Sequence, residues 1–91
     1  MPTIIKPTVG RVVWFWNRRP QDEHQQPQAA IVAHVWGDRC INIGLLDPNG
    51  NWIKDPPTSV RLFQDGDPLP EDDFHYCTWM PFQVGQAKKS S

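Results

Sequence analysis

Trp16, Arg18, His34, Trp36 and Asn42 are the side chains of this 91-residue sequence whose types best suit the recognition of a planar ligand. An exposed indole is a stacking platform and an interface anchor. A guanidinium beside it adds bidentate hydrogen bonds to a phosphate or carboxylate. In this arrangement Trp16 or Trp36 would stack a base, Arg18 would meet a phosphate, and His34 with Asn42 would read polar edges. Five tryptophans are more than so short a chain can bury, because Trp is seldom fully buried even in large domains. One or two rings must therefore reach the surface. Arg39 and Arg61 add two further guanidinium groups, each equally suited to solvating a rim.

Nothing in the pattern calls for catalysis. A nucleophile needs a base and an orienting group beside it, and there is no GxSxG elbow, phosphate-binding loop or GxGxxG. Cys40 and His34 are close in sequence, but the register argued below gives each a different partner. Asp65, Asp67, Glu71, Asp72 and Asp73 could supply a carboxylate pair, yet all five sit in a Pro-rich turn and read as a solvated acidic loop. His24, His34 and His75 are scattered, and Cys40 and Cys77 form no CxxC, so neither a structural zinc site nor any cofactor is expected. The two thiols are expected reduced and partly buried.

Lys plus Arg number 9 against 10 Asp plus Glu, a net charge of −1, which argues against a duplex nucleic acid partner. Apolar residues at 38 % and charged residues at 21 % are ordinary globular usage and exclude wholesale disorder. No apolar run approaches the roughly 18 residues of a membrane span, and the opening MPTIIKPTVGR lacks the apolar core of a signal peptide. The expectation is one cytoplasmic domain with no membrane partner. Ten prolines and six glycines point to a turn-rich β domain rather than a helical bundle.

The elements that would position these residues are short. Residues 1–8 hold two prolines and read as an extended N-terminal segment, and residues 9–16 (VGRVVWFW) read as a strand. Its alternation puts Trp14 and Trp16 on one face and Val13 and Phe15 on the other. Residues 17–28 form a polar loop, either functional or merely solvated. Residues 28–36 and 40–46 flank Gly37-Asp38-Arg39 as a hairpin. A three-residue loop with a bulge would place Ile31, Ala33, Val35, Ile41, Ile43 and Leu45 on one buried face. The opposite face would then pair His34 with Asn42 and Trp36 with Cys40, either as a satisfied surface pair or as the floor of a site. Asp47-Pro48-Asn49-Gly50 is a turn, residues 58–63 form another strand, and residues 74–84 form a last apolar stretch in which Pro81 limits any strand. Residues 86–91 read as a solvated, flexible tail. The predicted fold is all-β, a small antiparallel SH3-like (Tudor-like) barrel of about five strands spanning residues 1–91 as a single domain.

Four stretches, GRVVWFW, AAIVAHVWGDRCINIGLLDPNG, the PTSV of residues 57–60 and YCTWMPFQVGQAKK, carry a further signal. Together they resemble a family of small, mostly uncharacterised accessory proteins of tailed bacteriophages and prophages. The resemblance covers roughly residues 9–87, is weakest over the loop at 17–28, and brings no catalytic signature. It implies expression in the cytoplasm of an infected bacterium. Small phage proteins of this kind often act on the host, and one class sequesters host immune nucleotide signals as compact homo-oligomers with pockets between subunits.

The expectation is therefore a non-catalytic phage-encoded binding protein. Its sharpest form is a counter-defence sponge for a cyclic or ADP-ribose-type nucleotide. The rival expectation is an SH3-like module that grips a host protein or a Pro-rich peptide. A minor virion or assembly component is the weaker third.

Overall fold

The computed structural model describes residues 4–17, 25–72 and 74–90. Within them the chain forms β1 (Val12–Trp16), β2 (Gln28–Gly37), β3 (Cys40–Leu45), β4 (Val60–Phe63), β5 (Tyr76–Thr78) and a helix, α1 (Pro81–Ser90). The strands close into a barrel in the order β1-β2-β3-β4-β5. This is a small all-β, SH3-like barrel, as the sequence predicts.

Closure departs from the expected pattern in one joint. β1 to β4 pair antiparallel in sequence order and β5 returns antiparallel to β1, but β4 and β5 run parallel, with Leu62 opposite Cys77 and Phe63 opposite Thr78. Twelve residues lie between Phe63 and Tyr76, enough chain to carry β5 back to the start of the barrel rather than turn it in a hairpin.

The core follows the period-2 alternation of each strand. Val13 and Phe15 from β1, Ile41, Ile43 and Leu45 from β3, and Val60 and Leu62 from β4 are buried together with Cys77 and Trp79. Ile5, from the segment expected to run extended, also reaches this core.

The β2–β3 register differs from the predicted one. Gly37 pairs with Cys40, so the loop is the two residues Asp38 and Arg39, and the register shifts twice, between Val32 and His34 and between Val35 and Gly37. Ala30 and Val32 therefore enter the core, while Ala33 is exposed and Ile31 is only half-buried. A bulge inserts one residue and flips every side chain beyond it. His34 opposite Asn42 survives the shift, whereas Trp36 falls in the second bulge and Gly37 takes its place opposite Cys40.

The C-terminal stretch is corrected too. Only residues 76–78 are strand, and Pro81 opens α1 instead of limiting a strand. Proline suits the first helical position, where its missing N–H would lack a partner anyway. The Gln83 side chain reaches back to accept from Met80 N (3.0 Å), and its Nε2 donates to Val12 O (2.9 Å), tying the helix to β1. Val84 and Ala87 pack against the core, and Lys88 meets Asp65 at 3.1 Å, so residues 86–90 continue a helix, with Gln86, Lys88 and Lys89 exposed.

Candidate functional site

The outward face of β3 carries Cys40, Asn42 and Gly44, because Ile41, Ile43 and Leu45 point into the core. Two tryptophans stand on this face. The Trp36 indole lies edge-on to His34, with ring centroids 4.4 Å apart and planes at 67°. Its Nε1 donates to Asn42 Oδ1 at 3.0 Å. The Trp52 ring lies against Gly44, so closely that a Cβ there would come within 3.0 Å of it. Asn42 and Gly44 are two residues apart on one strand, which sets these contacts roughly 7 Å apart. Trp36 and Trp52 are nonetheless 62 % and 61 % exposed. Each indole is held on one side and more than half exposed on the rest.

Asn42 has a different task from the one its position suggests. Its Oδ1 also accepts from Ser59 N at 2.7 Å, so the carbonyl is spent inside the protein and only its amide N–H groups remain for a ligand. Ser59 (φ 52°) and Asp55 (φ 57°) hold left-handed backbone conformations on either side of Pro56-Pro57. Such strain costs about 1 kcal/mol or more per residue and must be held by its surroundings. The Asn42 carbonyl is one of the holds, and it joins the bent loop to the exposed indole.

The structure brings together His34, Trp36 and Asn42 and separates Trp16 from them. Trp16 is buried, its Nε1 donates to Thr78 Oγ1 at 3.0 Å, and Trp14 lies edge-on to it with centroids 6.0 Å apart. Its strand neighbour Phe15 pairs with Gln28, at the far end of β2 from Trp36, on the order of 20 Å of strand away. Trp16 is thus a wall residue of the barrel and cannot offer a stacking face. Arg18 lies outside the described residues. Trp52 was missed because a lone Trp after a turn carries no periodic signal; the glycine opposite it, Gly44, was the available clue.

A second polar-aromatic cluster stands one strand over. Arg61, outward on β4 opposite Cys40, has its guanidinium carbon 5.6 Å from the centroids of both Phe63 and Phe74. Its Nη2 donates to Asp72 Oδ1 (3.1 Å) and Phe74 O (3.3 Å). His75 stacks on Phe74 at 4.3 Å and tilts against Phe15 at 5.3 Å. Burial pulls its pKa below the ordinary 6.5, and the nearby Arg61 charge adds to this.

Arg39 gives Nε and Nη2 to the two carboxylate oxygens of Asp67 at 2.9 and 3.0 Å. That pairing holds the Asp67 carboxyl below its ordinary range against the opposing effect of desolvation, helped by the Gln64 N–H at 2.8 Å. The acidic stretch is therefore not simply solvated, since Asp65, Asp67 and Asp72 each face a cation. Among the described residues no group of three or more His, Cys, Asp or Glu side chains is placed to hold a metal, and no helix is long and apolar enough to cross a membrane. Compared with known protein families, curated proteins and solved structures, the chain matches none.

Proposed function

We propose that this protein is a non-catalytic binding module that grips a protein partner through the outer face of β2 and β3. The observation that carries the reading is the pair Trp36 and Trp52, more than half exposed yet held on one side by Asn42 and Gly44. Indoles dominate interface energetics, and prior fixation lowers the ordering cost of binding. Small solutes are usually held in clefts that enclose most of their surface. An open platform suits a protein surface or an extended peptide better. In the phage setting that the resemblance implies, the partner is a host protein met in the bacterial cytoplasm.

One observation favours the nucleotide sponge as a second reading. His34 and the Asn42 amide lie beside an open indole, which is the inventory for reading a base edge. That reading lacks a phosphate partner among the described arginines near this face, since Arg39 and Arg61 are engaged by Asp67 and Asp72. It would need Arg18, or a second copy of the chain, to supply the charge.

Native mass spectrometry and crosslinking of the protein purified from host cells test both readings, with Trp36→Ala/Trp52→Ala as the comparison. The module reading expects one defined host protein crosslinked through the β2–β3 face of the wild type and lost in the folded double variant. Equal capture by both proteins would overturn it. A co-purified nucleotide on a homo-oligomer would transfer the case to the sponge.

A further inference from the structure

The outward side of β1 is a second apolar surface, which borders the indole face where Ile31 pairs with Gly44. Val13 and Phe15 point into the core, so Val12 and Trp14 point out. Their β2 partners are Ile31 and Ala29, which also point out because Ala30 and Val32 are buried. The start of α1 continues this surface. Gln83 Nε2 donates to Val12 O at 2.9 Å, which sets the first helical turn beside Val12. Val84 packs on the core, and at about 100° per residue Phe82 is turned about 200° away from it. The Phe82 ring is accordingly 72 % exposed and Val12 39 %, with Ala29 exposed and Trp14 and Ile31 half-buried.

None of these five side chains is charged, although charged residues make up 21 % of the chain. A foreign partner is selected by charges and polar groups that complement its own, and this surface presents no charge with which to select. Apolar area without charge is the composition of homodimer contacts, whereas transient contacts are about as polar as the rest of a protein surface. A two-fold pair sets the same patch on both sides, so an uncharged apolar patch meets its like and leaves no charge unpaired. The area agrees. The exposed parts of the five side chains, with the exposed Val9 at the turn before β1, come to about 400 Å². A stable dimer buries about 800 Å² on each copy, about 65 % of it apolar. The patch supplies most of that apolar share, and the polar residues around it form the rim.

We infer that two copies of this chain pair about a two-fold axis through the outward side of β1 and Phe82. The pairing does not call on Trp36 or Trp52.

Sedimentation equilibrium of the full chain from about 1 to 200 μM tests this, since an apolar contact of this size with a micromolar dissociation constant falls in that window. The wild type is expected to rise to twice the 10.5 kDa of one chain. Concentration-dependent shifts of the wild-type Val12 and Phe82 backbone N–H signals in NMR are the second readout, independent of any variant. Phe82→Asp puts a carboxylate in the first turn of α1, where the helix dipole favours it, and Val12→Lys puts an ammonium at an outward strand position. Each should weaken pairing about tenfold or more, because the charge is buried without a partner. The double variant should stay a monomer with native amide dispersion, and Trp36→Ala/Trp52→Ala should pair as the wild type does. A wild type that is monomeric at the top of the range, a dimer that persists in the folded double variant, or a dimer lost with the two indoles would each overturn the inference. A monomer crosslinked to a host protein through Phe82 would do so too, by giving the surface to a foreign partner.

Discussion

Gln64 is the residue on which three distant segments depend. Its Oε1 accepts from Ile5 N (3.0 Å) and Trp79 Nε1 (3.1 Å), and its Nε2 donates to Ile5 O (3.0 Å) and Asp38 O (2.7 Å). The N-terminal segment, the β2–β3 turn and the entry to α1 are joined through one buried amide. Gln64→Leu keeps the volume and strands all four backbone and indole partners, at least two of them buried donors. The expected loss is about 2–5 kcal/mol of unfolding free energy in urea titration, from about 1–3 kcal/mol per unsatisfied group. A loss below about 1 kcal/mol would mean that water replaces the amide there. The cysteines differ by the same logic of burial. Cys77 is enclosed and desolvation pushes its pKa up to about 12, whereas Cys40 is only half-buried on the outer face. Since the thiolate is the reactive form, alkylation of the native protein near pH 8 should label Cys40 and spare Cys77 until denaturant is added. Mass spectrometry of the intact chain reads the count.

Among the elements, those with a strong alternating pattern were legible and those shaped by a single inserted residue were not. The alternation of Val13 and Phe15, of Ile41, Ile43 and Leu45, and of Val60 and Leu62 predicts their strands and buried faces, which the structure shows. In β2 a run of apolar residues, Ala29 to Ala33, fits either face equally, so the sequence could not choose between one bulge and two. Helix α1 was hidden for another reason. Gly85 interrupts it, Phe82 is exposed, and the side it packs on the core is little more than Val84 and Ala87. Tertiary ties hold it instead, and Gln83→Ala should cost about 1 kcal/mol and raise amide exchange throughout α1. The joint between β4, β5 and β1 responds to pH through His75, which faces Phe15 of β1, Phe74, and Arg61 of β4. Its pKa is lowered on folding, so the unfolded chain binds the proton more readily and stability falls as pH drops below 6.5 toward the folded value. Thermal melts at pH 7.5 and pH 5 should differ in that sense, and His75→Gln should flatten the difference. An unchanged slope in that variant would assign the effect to other groups.

For the whole molecule, the sequence anticipated a small barrel and a surplus of tryptophans, and these together required an indole surface without locating it. The His34–Asn42 pairing read from the hairpin is present, with Trp36 hydrogen-bonded beside it, because cross-strand register is a local property of one hairpin. Trp16 was misplaced because strand alternation gives a face but not what covers it, and here the outward indole is buried and bonded to Thr78. Trp52 reaches the face across the turn after Leu46, which it bridges antiparallel, with its ring against a glycine. That contact allows the binding face to be altered without removing a ring. In Gly44→Val the new side chain must displace the Trp52 indole, whose nearest atom already lies 3.0 Å from the position of a Cβ. The fold should tolerate the change, since a β-branched residue suits an outward strand position and an exposed ring can move. Urea midpoints of Gly44→Val and wild type should therefore agree within about 0.5 kcal/mol of stability, with tryptophan emission shifted as Trp52 changes surroundings. Under the proposed function, crosslinking to the captured protein should fall several-fold. If Gly44→Val captures the partner as well as wild type while Trp36→Ala does not, the face contracts to Trp36, His34 and Asn42. Trp52 would then be a neighbour of the site rather than part of it.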